Sequence, residues 1–299
     1  MTRFIKQLLF LLIIVAVFAT GVLVIYGAIP GGKLKVNPIG NAVCPTGYIM
    51  VPGSSTFGTN DFCVMQYEAR CAAGDEVGSN GCTAPYNVAT SRTGGTPWAS
   101  ITQLASIKAC TTTGGHLITN NEWMTIARNA EQVAGNWSGG AVGSGAMSTG
   151  WVASNTAVAP TTDASCLYNT GADTCNSAGT VQQRRTLTLS NGQTIWDLSG
   201  NVWEWTNDTC TQTNWYNSGW LEWTDANLAD YEKPNAGPLG AYTSTNRVGK
   251  YYGCKANGNA FARGGSWSYG TYAGAFALYL YYAPASYHTH IGFRCVHPP

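Results

Sequence analysis

Charge is scarce in this chain. Only 10% of its 299 residues are charged, against roughly 25% in an ordinary soluble domain. Sixteen Lys and Arg against fifteen Asp and Glu leave a net charge of +1 with no basic stripe, which excludes electrostatic capture of nucleic acid. No C-x-x-C pair occurs, so a zinc-ribbon reading is excluded. No phosphate loop, Ser-His-Asp arrangement or paired-carboxylate motif is discernible, and no internal repeat. Between Gly264 and Phe293 there is no Asp, Glu, Lys or Arg at all, yet six tyrosines fall there.

Gly (36 residues), Ser, Thr and Asn take the place of charge, and they imply many turns and loops. Eleven Trp and sixteen Tyr supply ample apolar surface for a core, which excludes intrinsic disorder. From Gln7 to Ile29 the chain runs 23 residues without a charge, long enough to cross a bilayer as a helix. Arg3 and Lys6 precede this run and Lys33 and Lys35 follow it, so the flanking positive charge is nearly balanced. An uncleaved anchor is the reading adopted. A signal peptide cut after Val17-Phe18-Ala19 would leave ten apolar residues unexplained, and a pilin-like assembly helix would lack its usual acidic residue. Ten cysteines behind an export signal read as disulfides in an oxidising compartment. The expected organisation is a membrane anchor over 1–30, a Pro/Gly linker over 31–43 and an ectodomain over 44–299, displayed at the cell surface.

Two capping-box patterns, Ser100 with Gln103 and Thr119 with Glu122, predict helices over roughly 100–112 and 120–131. In the second, Trp123, Ile126, Ala127 and Ala130 form a core-facing stripe. Residues 135–180 read as long ordered loops, with Cys166 and Cys175 as a local staple. In "IWDLSGNVWEW" (195–205), Asp197, the carbonyls of Gly200 and Val202, and Glu204 put hard oxygen donors on one Gly-containing turn. Such a set suits Ca²⁺, although a tight turn between core tryptophans explains the same residues.

"FCVMQYEA" (62–69), "GGHLITNNEWMTIARNA" (114–130), "WDLSGNVWEW", "ARGGSW" (262–267) and "IGFRC" (291–295) follow one another in order. Together they resemble the landmarks of the formylglycine-generating enzyme, or sulfatase-modifying factor, family. The resemblance covers about residues 44–299 and implies an α+β, C-type-lectin-like fold with much irregular structure, preceded here by one N-terminal transmembrane helix. It also implies structural Ca²⁺ at Asp197, Gly200, Val202 and Glu204, and a disulfide between Cys110 and Cys295. The family's oxidase uses two cysteines at the second and seventh residues after the Trp of RGGSW. This chain holds Tyr269 and Gly274 there, so neither the copper site nor its oxidation is expected. Related iron enzymes need a histidine cluster, and this chain has four His in all. His288 and His290 alternate and could share one face of a strand, but surface histidines of this kind are far commoner than ligands. No enzyme activity is expected.

The closing stretch is similar to the variable region of retroelement-diversified proteins, which use the same lectin-like scaffold. The positions that would vary and bind ligand are Ser268, Tyr269, Thr271, Tyr272, Tyr279, Tyr281, Tyr282, Ser286, Tyr287, His288, Thr289 and His290. Gly270, Ala273, Gly274, Phe276, Leu278, Leu280, Pro284 and Gly292 read as scaffold between them. In "FALYLYY", Phe276, Leu278 and Leu280 are expected to face the core while Ala277, Tyr279 and Tyr281 face out. Exposed Tyr with Ser, Gly and His is paratope chemistry. The expected function is a surface receptor or adhesin with a variable binding region, 264–295, for a protein or glycan ligand on another cell or phage. An oxidase with relocated cysteines and a filament subunit assembled through residues 7–29 are the alternatives.

Overall fold

Short β-branched and aromatic runs between Gly, Asn and Ser turns give short strands. The computed structural model describes residues 43–72, 82, 88–93, 96–152, 184–228 and 230–299, all within one compact unit, 42–299. The expected anchor and linker up to residue 42 and the Cys166–Cys175 staple lie outside these residues. Among the described residues no helix is long and apolar enough to cross a membrane.

In chain order the strands are β1 (Tyr48–Val51), β2 (Phe62–Met65), β3 (His116–Leu117), β4 (Thr186–Thr188), β5 (Thr194–Trp196), β6 (Trp203–Thr209), β7 (Trp220–Leu221), β8 (Tyr251–Tyr252), β9 (Ala260–Arg263), β10 (Leu278–Tyr279), β11 (Ile291–Phe293) and β12 (Cys295–His297). Helices α1 (Gln103–Thr112), α2 (Asn120–Glu131) and α3 (Glu232–Ala236) lie between them. One sheet has the order β1-β2-β12-β3, a second the order β11-β6-β9-β10-β8-β7, and β4 and β5 form a separate ribbon. Chain end meets chain start in the first sheet, where Val296 pairs with Val64 on β2 and with His116 on β3. Strands β11 and β12 thus carry the end of the chain from one sheet into the other. The result is a mixed helix-and-sheet domain with much irregular structure.

Helix α2 forms as its pattern predicts. Thr119 and Glu122 close a capping box, and Trp123, Ile126, Ala127 and Ala130 are all buried. Trp123 also donates from Nε1 to the Ala275 carbonyl at 2.8 Å, tying the helix to the closing stretch. Helix α1 starts later than expected. Its cap is Thr102, whose hydroxyl accepts from the Ala105 amide, and the expected Ser100–Gln103 box does not form. Tertiary contacts explain the difference: the Ser100 amide donates to the His288 carbonyl, and the Gln103 side chain donates to the carbonyls of Thr206 (2.6 Å) and Asp208 (2.9 Å) on β6.

The Glu122 carboxylate also meets His116 Nε2 at 2.8 Å and raises the imidazole pKa, against the opposing effect of burial. A folded-state pKa above the ordinary 6.5 gives stability that is complete below that value and fades as pH rises through the folded value. Replacing His116 by Gln should therefore flatten the pH dependence of the urea midpoint as pH rises above 6.5. The effect should stay below about 1 kcal/mol, because the imidazole is nearly half exposed and screened. Parallel profiles for variant and wild type would contradict it.

Four disulfides staple the described part: Cys44–Cys63, Cys71–Cys82, Cys110–Cys295 and Cys210–Cys254. Cys110–Cys295 closes a separation of 185 residues, and on the loop-entropy argument such a link stabilises by about 4–5 kcal/mol. It fastens the end of α1 to β12. Among the described residues no cysteine is free.

Candidate ligand-binding face

Strand register builds the centre of the face. Tyr279 on β10 stands opposite Tyr252 on β8, and Tyr252 stands opposite Trp220 on β7. Side chains alternate along a strand, so these three rings share one side while Leu278 and Tyr251 point into the core, both fully buried. The Tyr252 and Tyr279 centroids are 4.7 Å apart, and Trp220 lies 5.0 Å from Tyr252 and 5.4 Å from Tyr279. Trp203, buried at the start of β6, supports the row from beneath: it lies 5.6 Å from Tyr279 and meets Tyr269 edge-on at 5.1 Å.

The aromatic surface continues in both directions. Tyr272 lies 4.9 Å from Trp220 on one side. On the other, Tyr282 lies 5.1 Å from Tyr279, His288 lies 4.3 Å from Tyr282, and His290 stacks on His288 at 5.2 Å. Tyr281 and Tyr287 are the most open rings of the stretch, 46% and 65% exposed.

All twelve positions expected to bind ligand reach the surface. Ser268, Thr271, Tyr281, Tyr287 and Thr289 are exposed, and Tyr269, Tyr272, Tyr279, Tyr282, Ser286, His288 and His290 are half-buried. Of the scaffold positions, Ala273, Gly274, Phe276, Leu278, Leu280 and Gly292 are buried, whereas Gly270 and Pro284 are half-buried. Ala277 departs from expectation: it is buried, not outward. Its amide closes a turn onto the Gly274 carbonyl at 2.8 Å, so strand alternation begins only at Leu278.

Main-chain hydrogen bonds hold the stretch in place. The Trp267 amide donates to the Asn201 carbonyl, Gly270 to Val152, Phe276 to Val248, Leu278 to Lys250 and Leu280 to Tyr252, at 2.9–3.1 Å. In return the amides of Ala260, Gln103, Ser100 and Trp203 donate to the carbonyls of Tyr282, Pro284, His288 and His290. Such bonds do not depend on which side chain stands at a position.

The face carries no Asp, Glu, Lys or Arg between Gly264 and Phe293. Burial, and then His288, lowers the His290 pKa to about 4. Burial raises the phenols of Tyr269, Tyr279 and Tyr282 above their ordinary range. Among the described residues, Lys250 lies 4.6 Å from the Tyr272 centroid and is paired with Glu222 at 2.7 Å. Lys255 lies 6.0 Å from the Tyr252 ring.

The expected calcium donors do not fit an ion in this arrangement. Both Asp197 oxygens are taken by Arg185, at 2.7 Å from Nε and 2.5 Å from Nη2. Both Glu204 oxygens are taken by Arg294, at 2.5 Å from Nε and Nη2. Glu68 fills the turn between them, accepting from the Val202 amide at 3.1 Å and the Asn201 side chain at 2.5 Å. Burial first, then Asp197 and Glu204, hold the Glu68 carboxyl well above its usual range. Among the described residues no group of three or more His, Cys, Asp or Glu is disposed to hold a metal, His288 and His290 included.

Sequence reasoning treated Trp203 as a core residue only and passed over Trp220 and Tyr252. The tryptophans of "SGWLEW" and the tyrosine doublet of "GKYYG" were the available signal, but both strands are two residues long and neither shows a period. Glu68, Arg185 and Arg294 were likewise not singled out, although Glu68 and Arg294 lie within quoted motifs.

Comparison with known proteins gives the class. Residues 53–298 match the sulfatase-modifying factor enzyme 1-like domain, and the chain belongs to that family, whose fold is C-type-lectin-like. A search of curated proteins gives no match. Among solved structures, the chain is similar to the Major Tropism Determinant I1 variant at 18% identity and TM-score 0.39, over 86% of this chain and 54% of that one. It thus spans about half the length of that protein. It is also similar to Treponema denticola variable protein 1 (13% identity, TM-score 0.40, 84% of this chain and 91% of that one) and to PvdO from Pseudomonas aeruginosa (13%, 0.35, 85% and 92%).

Proposed function

We propose that the domain is a ligand-binding receptor or adhesin, displayed at the cell surface through the apolar segment 7–29, whose aromatic face is diversified by a retroelement. One observation carries the reading. Surface-reaching side chains at 268–272 and 279–290 flank a buried run, 273–278, with Leu280 buried among them, while main-chain bonds hold the backbone between them. A surface so built can change its side chains without losing its shape. Its tyrosines offer large amphipathic contacts at low entropic cost, and its lack of Asp, Glu, Lys and Arg disfavours indiscriminate binding of polyions. The partner is a protein on another cell or a phage, with a glycan as the other ligand class. No catalytic step belongs to this reading: Tyr269 and Gly274 stand where the family's oxidase has its cysteines, and the eight described cysteines are spent in disulfides.

Sequencing the locus across a population of the source cells tests the proposal. Substitutions should concentrate at the twelve positions from Ser268 to His290 and spare Gly264–Trp267 and Gly292–Cys295. Variation spread evenly along the domain, or absent, would overturn it.

A further inference from the structure

We infer that the family's calcium turn is held in this chain by its own arginines, so that the scaffold is independent of metal. Asp197 and Glu204 flank the turn, and each carboxylate grips one guanidinium with both oxygens. All four side chains are almost completely shut off from water. Calcium needs six to eight oxygen donors and a surplus of negative charge. Here both carboxylates of the expected set are already engaged by arginines, and no surplus of negative charge is on offer. Three buried acids, Glu68, Asp197 and Glu204, face three buried arginines, Arg70, Arg185 and Arg294, so their charges at most balance.

The turn itself is also closed by protein. The Asn201 amide donates to the Trp151 carbonyl at 2.8 Å, and the Asn201 carbonyl accepts from Trp267 at 2.9 Å. A side chain at Gly200 would run into the carbonyls of Thr149 and Trp151. The Asp197 amide donates to the Arg185 carbonyl at 2.8 Å, so the residue supplying the charge is bound to the turn by main chain as well. A dication entering here would displace protein donors and meet two guanidiniums.

The test compares melting of the purified full chain in excess EGTA and in millimolar calcium, by circular dichroism, with calorimetric titration of calcium into the EGTA-treated protein. The expected result is a midpoint unchanged within about 1 °C and no heat of stoichiometric binding. A rise of several degrees, as a micromolar site would give, or saturable binding heat, overturns the inference. Arg185→Met supplies the second arm. It should melt several degrees lower in EGTA and recover part of the loss in calcium, because Asp197 is then released. An Arg185→Met protein that melts like wild type in EGTA also overturns the inference. If that variant does not fold, the wild-type titration decides alone.

Discussion

Arg294→Met should lower the unfolding free energy by about 3–5 kcal/mol, the cost of stripping one partner from a buried ion pair. Arg294 is fully buried and donates to both oxygens of Glu204 on β6, to the Met65 carbonyl on β2 at 3.0 Å, and to the Trp196 carbonyl on β5 at 3.0 Å. One guanidinium therefore joins both sheets and the β4–β5 ribbon at the point where the chain passes from β11 to β12. Methionine fills much of the volume but leaves a bare carboxylate and two carbonyls without this donor. Removing the carboxylate too, as in Glu204→Leu/Arg294→Met, should recover only part of the loss, since the carbonyls remain unserved. Urea denaturation followed by tryptophan fluorescence would measure this. A loss under about 1 kcal/mol for the single variant would show that water or a rearranged side chain replaces the guanidinium.

Gly274→Ala should cost about 3 kcal/mol. The chain at Gly274 lies directly against the backbone of Val248 and Gly249, and a Cβ there would sit well inside 3.0 Å of three main-chain atoms. Backbone cannot swing aside as the tip of a side chain can, so the loop 274–277 would have to lift. Its amide bond to the Gly264 carbonyl (3.0 Å) and that of Phe276 to Val248 (2.9 Å) would suffer with it. For a domain of this size the melting midpoint should fall by roughly 6–12 °C. A wild-type midpoint would show that the loop gives way at little cost. The same crowding applies to cysteine. Restoring a cysteine at the seventh residue past Trp267 therefore requires a different backbone at Val248–Gly249, not a single codon change.

The family and the outward placing of Tyr279 and Tyr281 were legible because they rest on local patterns. Motifs such as "WDLSGNVWEW" keep their spacing whatever surrounds them, and residues 278–281 alternate in the chain as they do in the fold. Three features were not legible, for a common reason. Tyr252 joins the face through pairing with Tyr279, and Trp220 through pairing with Tyr252, partners distant in sequence. Helix α1 begins at Gln103 because the Ser100 amide is claimed by His288, far along the chain. The Asp197 and Glu204 carboxylates of "DLSGNVWE" are paired in the fold with Arg185 and Arg294, of which Arg185 lies outside the motif. Composition and spacing show which donors exist, but not which distant partner takes them first.

The pinning of the closing stretch at both ends limits what can be rewritten there. Arg263 is in register with Leu278, Ile291 with Trp203, and Cys295 with Leu117. One residue added or lost within β10 would turn Leu278 and Tyr279 to the opposite sides of the strand, and one added or lost between Phe293 and Cys295 would carry the cysteine away from Cys110. At these two places side chains can be exchanged, but the chain cannot be lengthened or shortened. A copy that loses its reading frame loses β12, and with it the strand that joins the end of the molecule to its beginning.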